Sequence, residues 1–215
     1  EQTQTLRVGY VAGPGELMGH ILAAAELHLP RVTLETSRLE WRDQESAVVQ
    51  GRVDVSFARA PITDPALDCL ETDRENRIVV VGRSHKLAGR ESVHIDELAR
   101  ERLITSGSCP SEEWRLWWAA SPRPTGVPIQ WGTNADTVEE MLDEVARGHG
   151  ICITAHAVEL YYRRPDISFI GLTGVPETTV QLCVLKDGAS PLARQFVDLA
   201  REVTAQHRAV VAGRS

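Results

Sequence analysis

Apolar and polar positions along this chain follow two periods, and the period switches at regular intervals. Leu6 to Val11 (LRVGYV) is a short apolar run that predicts a strand. After the turn Ala12-Gly13-Pro14-Gly15, Leu17, Ile21, Ala24 and Leu27 recur near one face. They predict a helix from Glu16 to about Leu29, stopped by Pro30. Val32 to Leu39 alternates as a half-buried strand does. Asp43 is placed to cap a helix bearing Ala47, Val48 and Val49, with Gly51 at its C-terminal end. Val53 to Ala58 (VDVSFA) reads as a third strand. The order β-α-β-α-β predicts a mostly parallel sheet covered by helices.

The pattern then restarts. Arg77 to Gly82 (RIVVVG) is a strong strand, followed by a short helix around Ile95 to Arg100 and a strand at Arg102 to Thr105. The loop Ser106 to Pro110 leads into a helix starting near Ser111, and Pro128 to Trp131 reads as a strand. Between Ala135 and Arg147, Val138, Met141, Leu142 and Val145 follow the i, i+3, i+4, i+7 spacing of an amphipathic helix, closed by Gly148. Gly150 to Thr154 is a buried strand with a short helix after it, and two more strands start at Ile167 and Thr179. A last helix begins at Pro191 with Leu192, Phe196, Leu199 and Val203 on one stripe. The chain is thus two successive α/β units of similar size with no Gly/Ser linker between them. Two such lobes make a cleft, and α/β ligands bind outside the carboxyl ends of strands.

Composition narrows the function classes. The 215 residues carry a net charge of −7 and 42% apolar residues, which is ordinary globular composition. The balance is acidic and no basic run appears, so the chain is a poor candidate for gripping phosphates by itself. No segment is apolar for long enough to span a bilayer, and no membrane partner is expected. Cys69, Cys109, Cys152 and Cys183 form no C-x-x-C pair, so a zinc ribbon is not expected; Cys69, Cys152 and Cys183 read as small buried hydrophobes. The N-terminal EQTQT has no signal-peptide character, and the cytoplasm is the expected compartment. The seven histidines show no metal spacing, and G-x-S-x-G, P-loop and paired dinucleotide motifs are absent, so no metal, cofactor or enzymatic activity is expected.

Four ordered stretches resemble the effector-binding domain of LysR-type transcriptional regulators. They are LRVGYV; QGRVDVSFARAP; VVVGRSHKLAGRESVHIDELARERLI; and TVEEMLDEVARGHGICIT. The departures are Lys86 where proline is usual and Thr154 where a Leu-Pro often stands. The resemblance implies an α/β, type II periplasmic-binding-protein fold: two lobes, an interlobe ligand cleft and two crossover strands. Lobe I would be residues 1–77 plus 187–215 and lobe II residues 78–186, with crossings near Arg77 and Lys186. It also implies an N-terminal winged helix-turn-helix, so the chain reads as a regulator fragment without its DNA-binding part, EQTQT being the tail of a linker.

The candidate effector residues sit where strands end. Gly13, Pro14 and Gly15 precede a helix whose free backbone N–H groups can hold an anion; the alternative is a plain tight turn. No Ser or Thr occupies this loop, as it often does in the family, and Glu16 weakens anion binding. Arg59 ends the third strand and can grip a carboxylate, or else makes a salt bridge. Trp41 follows the second strand near the expected cleft mouth. In the second unit Thr105, Ser106, Gly107, Ser108 and Cys109 form a hydroxyl-rich loop before a helix, read as the best ligand loop and otherwise as a capping loop. Cys109 is a candidate reactive thiol with no evident resolving partner. Asn134, beside Thr133, and Thr154 also end strands; Asn134 reads mainly as the cap of the following helix. Trp114 and Trp118 share a face, for packing or as an aromatic wall.

The reading is an allosteric sensor that binds a small effector, an organic acid being favoured. It self-associates as a dimer through the Glu16 to Leu29 helix, as a tetramer in the full-length protein, and reaches promoter DNA only through the missing domain. The alternatives are a solute-binding protein of a transporter, sharing the fold, and an enzyme, for which only Cys109 offers a reactive group.

Overall fold

The computed structural model describes residues 4–213. The first three residues of the EQTQT segment, and with them part of its reading as a linker tail, lie outside the described residues. The chain divides into two compact units, the first from Glu1–Arg74 with Thr179–Ser215 and the second Glu75–Thr178.

The first unit is built on a five-stranded sheet of order β2-β1-β3-β11-β4. Its strands are β1 (Gln4–Tyr10), β2 (Val32–Arg38), β3 (Val55–Arg59), β4 (Leu67–Glu75) and β11 (Thr178–Leu185). β1 is parallel to β2 and β3, and β11 runs antiparallel to β3 with Leu182 opposite Phe57. Strand alternation sorts the side chains onto two faces. Val55, Phe57, Leu182 and Val184 pack against α1 (Leu17–His28) and α6 (Pro191–Ala212), through Leu17, Ile21, Phe196 and Ala200. Ala58 and Cys183 face the other way, against Ala47 and Val48 of α2 (Ser46–Val49). α6 starts as its sequence says: Ser190 Oγ accepts the Ala193 N–H at 3.1 Å and Pro191 takes the first turn, where a missing N–H costs nothing.

Four points of the sequence reading fail here. β4 has no counterpart in the sequence reading, because LDCLETDRE is too polar for a core strand; it is affordable only at the sheet edge, which is where it lies. Cys69, on that strand, is exposed rather than buried. Asp43 does not cap α2: it lies in a 3-10 turn (Trp41–Asp43) and binds Arg52 at 2.7 Å, while Glu45 holds the N-cap position. β11 belongs to this unit's sheet, so the chain has returned to it before Thr179 and not near Lys186.

The second unit has a sheet of order β6-β10-β5-β9, from β5 (Arg77–Gly82), β6 (Ser92–His94), β9 (Cys152–Ala155) and β10 (Ile167–Thr173). A parallel pair, β7 (Arg102–Ser106) and β8 (Gln130–Ala135), continues it through a bridge between Leu103 and Ile151. β5 runs antiparallel to both β9 and β10, while β7, β8 and β9 point the same way. Val79, Val81, Ile153, Ile170 and Leu172 form the core with Ile95, Leu98 and Leu103. The helices are α3 (Glu112–Trp118), α4 (Val138–Ala146) and α5 (Ala157–Tyr161). α4 buries Val138, Met141, Leu142 and Val145, the four positions its periodicity singles out.

α4 begins three residues later than its pattern suggests, because residues up to Ala135 pair with β7. Its cap is therefore Thr137, not Asn134. Thr137 Oγ1 accepts the Glu140 N–H at 3.2 Å, and the Glu140 carboxylate accepts the Thr137 and Asp136 N–H groups at 3.3 and 2.8 Å.

Candidate functional site

The first unit places Arg59 at the carboxyl end of β3, only 3% exposed. Its backbone is bracketed by a buried glutamine: Gln44 Oε1 accepts the Arg59 N–H and Gln44 Nε2 donates to the Arg59 carbonyl, both at 2.9 Å. Ser56 Oγ in turn donates to the Gln44 carbonyl at 2.7 Å. The guanidinium donates through Nη2 to the Gly13 carbonyl, which ties β3 to the loop that opens α1. Gly13 and Gly15 have φ of +65° and +83°, conformations open to glycine and strained for other residues.

The free helix N-terminus expected behind this loop is already occupied. Asp73 of β4 accepts the Glu16 and Leu17 N–H groups through Oδ1, at 3.0 and 3.3 Å. A carboxylate of the chain itself thus neutralises the positive end of α1, and the Glu16 and Leu17 donors are not open to a second anion. Burial pushes the Asp73 carboxyl above its ordinary value, while the Leu17, Thr72 and Glu16 hydrogen bonds and the positive charge of Arg59 pull it down. Trp41 is half-buried and opens the 3-10 turn that leads to Gln44.

In the second unit β7, β8 and β9 are neighbours and parallel, so their carboxyl ends lie on one edge. Thr105 and Ser106 of β7 stand opposite Asn134 and Ala135 of β8, and Thr154 is the penultimate residue of β9. Thr105 and Ser106 are buried, whereas Ser108, Cys109 and Thr154 are half-buried and Asn134 is exposed. Ser106 Oγ accepts the Ser108 N–H at 3.1 Å, which folds the loop back on its own strand. Gly107 fits closely: a Cβ there would lie 3.2 Å from Asn134 Cβ and from Asp136 Oδ1. The start of α3 is capped by Ser111, whose Oγ accepts the Trp114 N–H at 3.1 Å.

Arg77 joins this edge. It pairs with Ala155 in the β5–β9 register and is 2% exposed. It donates to the Pro176 carbonyl at 3.0 Å and the Trp117 carbonyl at 2.9 Å, and its guanidinium lies 4.1 Å from the centre of a Trp117 ring. Burial lowers its pKa to about 10. Trp114 and Trp118, with rings 5.6 Å apart and both buried, are packing residues. The opposite edge, where β7, β8 and β9 begin, carries a depression of about 470 Å³ lined by Arg100, Arg102, Gln130, Arg147 and His149.

Sequence reasoning did not find Gln44, Asp73 or the site character of Arg77. Gln44 and Asp73 are single polar residues in polar stretches, with no local signal of what they bracket. Arg77 is the first residue of an apolar strand, which marks it only as a boundary.

The chain matches the family described as the LysR substrate binding domain over residues 1–205. It is 30% identical over 180 residues to the HTH-type transcriptional regulator BenM of Acinetobacter baylyi, covering 80% of this chain and 56% of that protein. The chain therefore spans little more than half the length of that relative. Among solved structures, the BenM effector-binding domain with its effector benzoate superposes with a TM-score of 0.77 at 22% identity, covering 99% of this chain and 95% of that one. The effector-binding domain of QuiR in complex with shikimate gives 0.79 at 16% identity, covering 94% and 98%. Those domains have the type II periplasmic-binding-protein fold, and this chain shares it. Together these matches make the chain a member of the LysR substrate-binding-domain family.

Proposed function

We propose that this chain is the ligand-sensing domain of a LysR-type transcriptional regulator and that its effector is a small organic acid. The observation that carries the reading is the edge of the second unit at which Thr105, Ser106, Asn134 and Thr154 end three adjacent parallel strands. Ligands of α/β folds bind outside such ends. In the first unit the cation is Arg59, whose backbone is held by Gln44, whose guanidinium donates to the Gly13 carbonyl, and whose charge is suited to a carboxylate. Within the first unit the Gly13-Pro14-Gly15 turn, whose Gly13 carbonyl accepts from Arg59, and Trp41 are assigned to the same role, and within the second unit the Ser108-Cys109 loop is. The relatives support the class of ligand: one solved domain holds benzoate and another shikimate.

The same reading assigns the rest of the regulator. DNA is contacted by a winged helix-turn-helix outside this chain, in the cytoplasm. Self-association runs through the exposed stripe Gly19, Ala23 and Leu27 of α1. The relatives named above are effector-binding regulators, and the transporter reading draws no support from them.

The test is a thermal-shift screen of benzoate, shikimate and related aromatic and aliphatic acids, followed by calorimetry on the best binder. Losing a charge-assisted hydrogen bond costs roughly 1.5–3 kcal/mol, so Arg59→Ala is expected to weaken binding about 10- to 150-fold. Thr154→Val preserves shape and removes one hydroxyl, for a loss of about 2- to 10-fold. A screen in which no acid binds refutes the class of ligand, and unchanged affinity in both variants refutes the residues.

A further inference from the structure

Cys69 and Cys183 are 114 residues apart in sequence, yet their Sγ atoms lie 3.3 Å from each other. They sit on β4 and β11, neighbours in the first unit's sheet. Both thiols are free. Neither belongs to the candidate effector site, and nothing in that site needs them to touch. We propose that this pair is a modification site: a hydroperoxide oxidises Cys69, and Cys183 resolves the product into a reversible intrachain disulfide.

Three features of the geometry point to it. The first is distance. A disulfide holds its sulfurs about 2.05 Å apart, so the pair closes with a relative shift of about 1.3 Å, within reach of side-chain rotation on adjacent strands. The second is the division of exposure. Cys69 is exposed and opens into a shallow depression of about 320 Å³, lined by Ala60, Ile62, Asp64, Leu67, Asp68 and Gln181. A peroxide molecule reaches it from solvent. Cys183 has no exposure, and its side chain lies among Ala47, Val48, Ala58 and Leu67. Only Cys69 meets an oxidant, and only Cys183 is close enough to capture what forms there. The third is polarity. The hydrogen bond between the two sulfurs lowers the Cys69 pKa and raises that of Cys183, so the exposed sulfur is the one that ionises. Partial desolvation of the sulfur on its Cys183 side and the nearby carboxylates of Glu45 and Asp68 oppose that ionisation, and the hydrogen bond outweighs them.

The chemistry balances with the peroxide as oxidant. The Cys69 thiolate attacks one peroxide oxygen, the O–O bond breaks, and hydroxide leaves to become water. Cys69 is now a sulfenic acid. The Cys183 sulfur attacks the Cys69 sulfur, an S–S bond forms, and the S–O bond breaks. The departing hydroxide takes the Cys183 proton and leaves as a second water. Two thiols have given two electrons, and one hydroperoxide has become two waters, or a water and an alcohol for an alkyl hydroperoxide. Because the resolving sulfur is already in contact, the sulfenic acid is consumed before it can be oxidised further. The bridge ties together β4, by which the chain leaves the first unit, and β11, by which it returns.

The experiment treats the reduced protein with a small excess of hydrogen peroxide, quenches with a thiol-alkylating reagent, and maps the peptides by mass spectrometry. The expected result is a linked Cys69–Cys183 peptide pair, two hydrogens lighter than the separate peptides and separated again by dithiothreitol. It is expected to persist in Cys109→Ser, which removes the half-buried thiol elsewhere, and to vanish in Cys69→Ser. In Cys183→Ala, Cys69 is expected to advance to sulfinic acid, which the wild type avoids. If Cys183→Ala does not fold, the wild-type and Cys69→Ser maps decide alone. A wild-type map with both cysteines alkylated, with Cys69 over-oxidised, or with Cys69 joined to a second chain overturns the proposal.

Discussion

The Asp73 carboxylate closes over Gly15 so tightly that a Cβ on that glycine would fall 2.4 Å from it. Gly15 also holds φ of +83°. Gly15→Ala therefore forces an L residue into a left-handed conformation and pushes Asp73 off the Glu16 and Leu17 N–H groups. The two effects together are expected to cost about 2–4 kcal/mol. Gly89 is the control: its φ is +85°, but a Cβ there meets nothing within 4 Å. Gly89→Ala is expected to lose only the conformational part, about 1–2 kcal/mol. Urea unfolding of the two variants reads the difference, and equal losses would show that the Asp73 contact contributes nothing.

The same carboxylate sets a pH dependence. Burial raises the Asp73 pKa above its ordinary value of 3.8. An acid with a raised folded pKa holds its proton more tightly folded than unfolded. Its contribution to stability is complete below 3.8 and is lost as pH rises through the raised folded value. Asp73→Asn keeps an oxygen for Glu16 and Leu17 and replaces Oδ2, a buried atom without a hydrogen-bond partner, by a neutral amide. The variant is expected to gain on the wild type as pH rises from about 4 towards neutrality. Unfolding free energies that run parallel over this range contradict the assignment.

The α4 capping box makes a second pair of variants informative. Thr137→Ala removes the oxygen that accepts the Glu140 N–H, and losing such a cap costs about 1 kcal/mol. Asn134→Ala, at an exposed strand position, is expected to cost less than about 0.5 kcal/mol. Denaturation midpoints with unchanged slopes check both; the reverse order restores Asn134 as the cap.

Self-association through α1 is tested at one position and confounded at its neighbour. Ala23 is exposed, whereas Ala25 is 1% exposed and packs in the first unit's core with Met18. Ala25→Glu buries an unpaired carboxylate within the fold and is expected to unfold the unit whatever its oligomeric state. Ala23→Glu leaves the fold intact and is expected to shift a micromolar dimer towards monomer. Light scattering with circular dichroism separates the outcomes, and a folded Ala23→Glu protein with undiminished dimer mass excludes that stripe.

Elements with one-sided burial were legible along the chain. β1, β2, α4 and α6 repeat apolar residues at the period of their own geometry, because each lays one face on a core. α1 was legible as a helix but not by its face: Leu27 is exposed and Ala24 half-buried, whereas Met18 and Ala25 are buried with Leu17 and Ile21. The two α/β units and the strand ends carrying Arg59, Thr105 and Thr154 follow from that pattern. β4 did not, since an edge strand needs little apolar surface. The partners of Asp73, Gln44 and Cys69 were also invisible. Asp73 meets Glu16 across 57 residues and Cys69 meets Cys183 across 114. Periodicity reports which face of an element is buried; it carries nothing about which strand lies beside which, or in what register. Those choices are made when the two faces of each sheet are covered, and only then does a carboxylate reach a helix start or one thiol touch another.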